Sequence, residues 1–148
     1  WKPEDVLEFR KHFGWLCDKC YYYIKQGKEY VPQIIKKNLV QLYGGVAHQK
    51  SFQNCGAVER WVAPMPDGRS FPCARFGTSD YLSNEDDLFK ECNSCYLNNY
   101  CDKGCYHQAV LNKGPLSSVC ELYKIVFDHV VKLNRLLKGD IIWQQLVK

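Results

Sequence analysis

The chain has 148 residues, of which 46% are hydrophobic and 24% charged, and a net charge of +4. That balance argues against disorder and leaves a modest core for one domain and an appendage. No Lys/Arg run exceeds two residues, and no apolar run approaches the roughly 18 residues of a membrane span, so neither nucleic acid nor membrane is expected as a partner. The opening Trp1-Lys2-Pro3-Glu4-Asp5 shows no apolar core, no cleavage site and no initiator Met. The expectation is a cytoplasmic protein, read here as a piece of something longer.

The first expected element is a helix from about Pro3 to Gln26. Pro3 suits a first helical position, and Glu4 and Asp5 complement the dipole there. Val6, Phe9, Phe13, Leu16, Cys20 and Ile24 recur at spacings of three and four, which makes one apolar face. Gly14 weakens this helix, and Gly27 stops it. Cys17 and Cys20 fall on or beside the apolar face, where a thiol acts as a small buried hydrophobe. A second helix is expected over Val31 to Tyr43, with Ile34, Ile35, Leu39 and Leu42 inward and Gly44-Gly45 ending it.

A hairpin follows a loop that leads to Cys55. Val58 to Pro64 reads as one strand, Met65-Pro66-Asp67-Gly68 as the turn, and Arg69 to Cys73 as the return. Pro64 and Pro72 confine the pair to a sheet edge or a two-stranded ribbon, which is marginal by itself. Cys55 and Cys73 flank the hairpin, so its base can bring the two sulfurs together. Ala74 to Ser83 reads as loop, and Asn84 to Lys90 as a short acidic helix.

Four of the nine cysteines then crowd into Cys92-x2-Cys95-x5-Cys101-x3-Cys105. Such spacing lets several thiolates converge without long loop closure, as a thiolate-bound metal or an iron–sulfur cluster demands. Asn98, Asn99 and Gly104 tolerate the turns this needs. Leu97 is the one aliphatic residue between the cysteines, so bonds to sulfur rather than packing are expected to hold the run. After a loop containing Gly114-Pro115, a long helix is expected from a capping box at Ser118 and Glu121. Its stripe is Val119, Leu122, Tyr123, Val126, Val130, Leu133 and Leu137, and it ends at Gly139. Cys120 lies in its first turn, where the dipole favours thiolate.

Taken together, Cys55, Gly68, Cys73, Cys92, Cys95, Cys101, Cys105 and Cys120 spell C-x12-G-x4-C, a gap, C-x2-C-x5-C-x3-C, a gap, then C. This resembles the SPASM domain, the auxiliary-cluster module of many radical S-adenosylmethionine enzymes that modify peptides and proteins. The resemblance covers about Cys55 to Leu137. It implies two [4Fe-4S] clusters, the first on Cys55, Cys73 and Cys105, the second on Cys92, Cys95, Cys101 and Cys120. It also implies an α+β fold: a small cluster-stapled domain with one β-hairpin and loops around metal centres, flanked by N-terminal helices and a long C-terminal helix. Residues 1–50 would be the helical tail of a preceding catalytic domain, and 51–148 the auxiliary domain. The implied partners are that radical S-adenosylmethionine catalytic domain and a substrate peptide or protein; the implied work is electron transfer, substrate docking, or both.

The chain departs from the radical enzymes in one respect. It has no C-x3-C-x2-C motif, since Gln108 stands where a third cysteine would follow Cys101 and Cys105, and Phe13 where a first would precede Cys17 and Cys20. S-adenosylmethionine would therefore enter only through the absent catalytic domain, and no residue here is assigned a catalytic role. The first cluster has three cysteines, so its fourth iron must take another ligand: solvent, a substrate thiol, or a residue such as Cys17, Cys20 or His107. His12, His48 and His129 read as surface or capping residues. Tyr96, Tyr100 and Tyr106 read as shields that keep water from a cluster. Two other readings use the same cysteines: a zinc-stapled interaction domain without redox role, and a disulfide-framed extracellular domain.

Overall fold

The computed structural model describes residues 1–43, 62–76, 88–101 and 103–146. Among them the chain is mixed: mostly helix, with one small antiparallel two-stranded sheet. It groups into two compact units, one made of Trp1–Gly45 with Ser118–Lys148, the other of Val46–Ser117. No helix among the described residues is long and apolar enough to cross a membrane.

The first unit is helical. α1 spans Pro3–Lys25, with Pro3 at its first position and the Asp5 carboxylate accepting from the Lys2 N–H at 2.9 Å. At its other end Gly27 takes φ 77°. The Gly27 N–H reaches the Ile24 oxygen and the Lys28 N–H the Tyr23 oxygen, each at 3.0 Å. These two bonds satisfy carbonyls that a helix end otherwise leaves open, and the left-handed residue that makes them is cheapest as glycine. α2 spans Gln33–Tyr43 and buries Ile35 and Leu39. Ile34, expected inward, is 42% exposed. An 11-residue helix buries one narrow stripe, and of two adjacent isoleucines 100° apart only one can lie at its centre.

α4, numbered after a short α3 in the second unit, spans Ser117–Leu137, and α5 spans Ile141–Leu146. α4 begins one residue before the expected cap, and the Glu121 carboxylate bonds Lys124 at 2.8 Å. It buries Ile125, Val126, Val130, Leu133 and Leu137 in one cluster with Phe13, Cys17, Cys20 and Ile24 of α1, Ile35 and Leu39 of α2, and Trp143 of α5. Each such aliphatic contributes about 1.5–3 kcal/mol on full burial. This stripe decides the grouping. The sequence attaches the long helix to the cysteine region through Cys120, but its apolar face belongs with the N-terminal helices.

Polar contacts close the end of this unit. The Asn134 Oδ1 accepts from Tyr43 Oη at 2.7 Å and from Trp143 Nε1 at 2.9 Å. Asp140 starts α5, with its Oδ1 accepting the Ile142 N–H at 3.1 Å and its Oδ2 facing Lys25 Nζ at 3.4 Å.

Candidate metal centre

The cysteine-bearing unit begins with the hairpin. β1 (Ala63–Pro64) pairs antiparallel with β2 (Ser70–Phe71), Ala63 opposite Phe71 and Pro64 opposite Ser70. The strands are shorter than expected, and residues 58–61 of the expected first strand lie outside the described residues. The turn is the expected one. The Met65 N–H reaches the Arg69 oxygen at 2.8 Å, the Gly68 N–H reaches the Met65 oxygen at 3.0 Å, and Gly68 takes φ 84°. Asp67 Oδ1 accepts the Arg69 N–H and its Oδ2 the Arg69 Nε, at 3.0 and 2.8 Å. The backbone bond, then the guanidinium, hold this carboxyl below its ordinary pKa. Cys73 follows β2 by two residues, and a single 3-10 turn, Ala74–Phe76, follows Cys73.

A small apolar cluster carries the rest: Phe71, Phe76, Leu88, Phe89, Tyr106 and Ala109, with Cys73 and Cys92 packed against it. Cys92 sits within a 3-10 turn, Lys90–Ser94, where its N–H bonds the Phe89 oxygen at 2.9 Å. The chain then winds through successive tight turns. Cys95 N–H bonds the Cys92 oxygen at 3.1 Å, Asn98 N–H the Cys95 oxygen at 2.9 Å, and Cys101 N–H the Leu97 oxygen at 2.8 Å. Leu97 is buried, so the one aliphatic residue of the run anchors it.

Between Cys101 and Cys105 two consecutive residues, Lys103 and Gly104, adopt left-handed backbone, with φ 57° and 74°. The turn aims the Lys103 N–H at Cys101 Sγ, 3.3 Å away. The Lys103 Nζ lies 5.7 Å from the centre of the Phe89 ring. Cys105 is extended and caps α3 (Tyr106–Leu111), with its oxygen accepting the Ala109 N–H at 3.0 Å. Its sulfur faces Arg75 Nη1 at 3.9 Å. α3 lies where a loop was expected. A six-residue helix is too short to show periodicity in the sequence.

The structure therefore brings some of the expected ligands together. Cys73 and Cys105 share a neighbourhood, because Arg75 and Phe76, in the turn after Cys73, meet Cys105 and His107. Cys92 stands on the same apolar cluster as Cys73. Cys95 and Cys101 follow in the adjoining turns. Cys120 lies in the first turn of α4, half-buried, in the first unit. Cys55 lies outside the described residues. Among the described residues, no three His, Cys, Asp or Glu side chains converge closely enough to hold a metal ion.

The chemistry of the donors nevertheless suits a thiolate-bound group. Two sulfurs, of Cys101 and Cys105, are each met by an N–H donor, the outer contact that tunes iron–sulfur centres. A ring nitrogen close by, His107 Nδ1, is buried without a hydrogen-bond partner, as is Asn98 Oδ1. Arg75 was not among the expected site residues; its partner Cys105 lies 30 positions away, and no local signal in the sequence points to it.

Cys17 and Cys20 are different. They are 5% and 0% exposed in the core of the first unit. Burial pushes the Cys17 thiol up to about 12, with Cys20 and Asp18 adding to it, and the Cys20 thiol up to about 11. They are protonated packing residues, as their helical face predicts, and unsuited to ligation without opening the core. His12 is exposed and bonds Glu8 at 2.9 Å, and His129 Nδ1 bonds the Ile125 oxygen at 2.8 Å. No family model matches the chain, and no curated protein or solved structure matches it.

Proposed function

We propose that this chain is an auxiliary iron–sulfur module of the SPASM type, serving electron transfer or substrate-peptide docking for a radical S-adenosylmethionine domain that modifies peptides. Cys73 and Cys105 would belong to the first [4Fe-4S] cluster, with Cys55, and Cys92, Cys95, Cys101 and Cys120 to the second. The observation that carries the reading is the winding of residues 92–105. Almost every turn bond there is made by or beside a cysteine, a left-handed pair reverses the chain before Cys105, and N–H donors meet the sulfurs. Among the described residues the apolar support of this run is a cluster of six buried side chains together with Leu97. In small domains bonds to a metal or cluster act as staples that supplement the core.

Anaerobic reconstitution with iron and sulfide tests this. The expected product is brown and holds about eight irons and eight sulfides per chain, as two four-iron clusters require. Stoichiometric zinc with no retained iron would overturn it in favour of a zinc-stapled interaction domain.

A further inference from the structure

We infer that the first turns of α1 form a binding site for an organic ammonium ion, a lysine side chain or a free alkylammonium, in the corner between Trp1 and Phe9. The site lies in the first unit and stands whether or not iron binds in the second.

Three observations carry it. First, there is a cavity of about 560 Å3, lined by Trp1, Asp5, Glu8, Phe9 and His12. That volume falls within the roughly 300–1,000 Å3 of small-molecule sites. Positions 5, 8, 9 and 12 are three or four apart, so the helix sets them on one face. Trp1, just before the Lys2 cap, folds back to meet that face at Phe9.

Second, two aromatic walls meet at a right angle. The Trp1 and Phe9 ring centroids are 6.0 Å apart, with the ring planes at 84°. Phe9 is the fixed wall, because it stacks on Phe13 at 5.6 Å and packs against the core of the unit. Trp1 is 66% exposed, so much of its indole is left for a ligand. Indole is the side-chain ring that attracts cations most strongly.

Third, the charge in the cavity is of one sign. Asp5 and Glu8 bring two carboxylates to it, and no Lys or Arg is among the residues that line it. Asp5 Oδ2 accepts the Lys2 N–H and Glu8 Oε1 bonds His12 Nε2, each at 2.9 Å. These bonds orient the carboxylates, and each carboxylate keeps further acceptor sites. Lys11 Nζ lies 3.8 Å from Glu8 Oε2, but both side chains are well exposed and such a pair contributes little. The helix dipole explains an acid in the first turn and fades beyond it, so it accounts neither for Glu8 nor for the aromatic corner. A cation in the corner would gain from the indole face and from both carboxylates, whereas a neutral molecule of the same shape would gain from the rings alone.

The test is a nuclear magnetic resonance titration of the full 15N-labelled chain with choline chloride, at an ionic strength held constant with sodium chloride. The neutral isostere of choline, in which carbon replaces the charged nitrogen, is titrated in parallel. The Trp1 indole N–H and the Glu8 and Phe9 amide signals should shift together and saturate with choline, with a dissociation constant on the order of millimolar. The isostere should move them much less. Trp1→Ala should weaken choline binding about two- to fivefold, as loss of an exposed cation–π contact implies. Glu8→Gln, which keeps an acceptor for His12, should weaken it by a similar factor, and the helical circular dichroism of both variants should match that of the parent chain. A short peptide with a single lysine separates the two sources: tighter binding than choline assigns the site to a side chain, weaker binding to a free cation. Equal shifts with choline and its isostere, shifts that do not saturate, or unchanged affinity in both variants would overturn the inference.

Discussion

The His129 ring crowds the space that a side chain at Gly14 would enter. A Cβ built on Gly14 would lie 3.3 Å from His129 Nε2, and the ring cannot easily turn away. Its Nδ1 bonds the Ile125 oxygen, and the ring makes a T-shaped contact with Phe13, centroids 5.8 Å apart. Gly in a helix interior costs about 1 kcal/mol relative to Ala, so the contact offsets that potential gain. Gly14→Ala alone should change stability by less than about 1 kcal/mol. In a His129→Ala background the same change should stabilise the chain by about 1 kcal/mol. Chemical denaturation of the four proteins of this cycle measures the coupling; strict additivity would refute the argument.

The buried thiols of Cys17 and Cys20 should make the first unit sensitive to alkali. Both are raised in the folded chain, to about 12 and about 11 from 9.0. Above about pH 9 the unfolded chain loses these protons while the folded chain keeps them, so stability is full below that pH and falls as pH rises through the folded values. The expected loss at pH 10.5 is on the order of 2 kcal/mol per thiol. Replacing both residues with Ala should flatten the profile between pH 8.5 and pH 11, at a lower starting stability. The double variant should also keep the full iron content of the reconstituted chain, and loss of a cluster would show that one of the pair is a ligand.

Asn134 should be a stability hot spot although its own exposure is unremarkable. Its Oδ1 takes protons from Tyr43 and from Trp143, and Trp143 is 1% exposed. Asn134→Leu leaves the indole N–H without an acceptor in the core, which should cost about 1–3 kcal/mol. Asn134→Asp keeps an acceptor and should recover most of that. Urea midpoints rank the variants, and the tryptophan emission maximum should shift in Asn134→Leu more than in Asn134→Asp.

The helices of the first unit were largely legible because burial there follows a period. Phe13, Cys20 and Ile24 on α1, and Val126, Val130, Leu133 and Leu137 on α4, are buried where the spacing places them. Errors came at the margins of that period. Tyr123, expected inward, is 37% exposed, while Ile125, outside the expected stripe, is 1% exposed. The cysteine-bearing unit is legible in another way, through turn chemistry. Gly68 and Gly104 take the left-handed backbone that their positions suggest. Lys103 and Lys113 do the same, and no propensity would assign a lysine there. The contact between Arg75 and Cys105 spans 30 positions, so no local pattern could reveal it. Grouping was the least legible feature, because a cysteine motif and an apolar stripe lay on the same helix and implied different neighbours.

The first unit is assembled from the two ends of the chain, with all of Val46–Ser117 synthesised between them. At a ribosomal rate of about 5–20 residues per second, α1 and α2 wait several seconds for the helix that covers them. During that interval Cys17 and Cys20 are ordinary accessible thiols, made before the cysteines of residues 92–105 and able to capture iron or be oxidised. The emerging chain thus passes through a stage in which its packing sulfurs and those of residues 92–105 are chemically alike. Only the arrival of α4 buries the packing pair, so the order of synthesis decides how long these two thiols stay reactive.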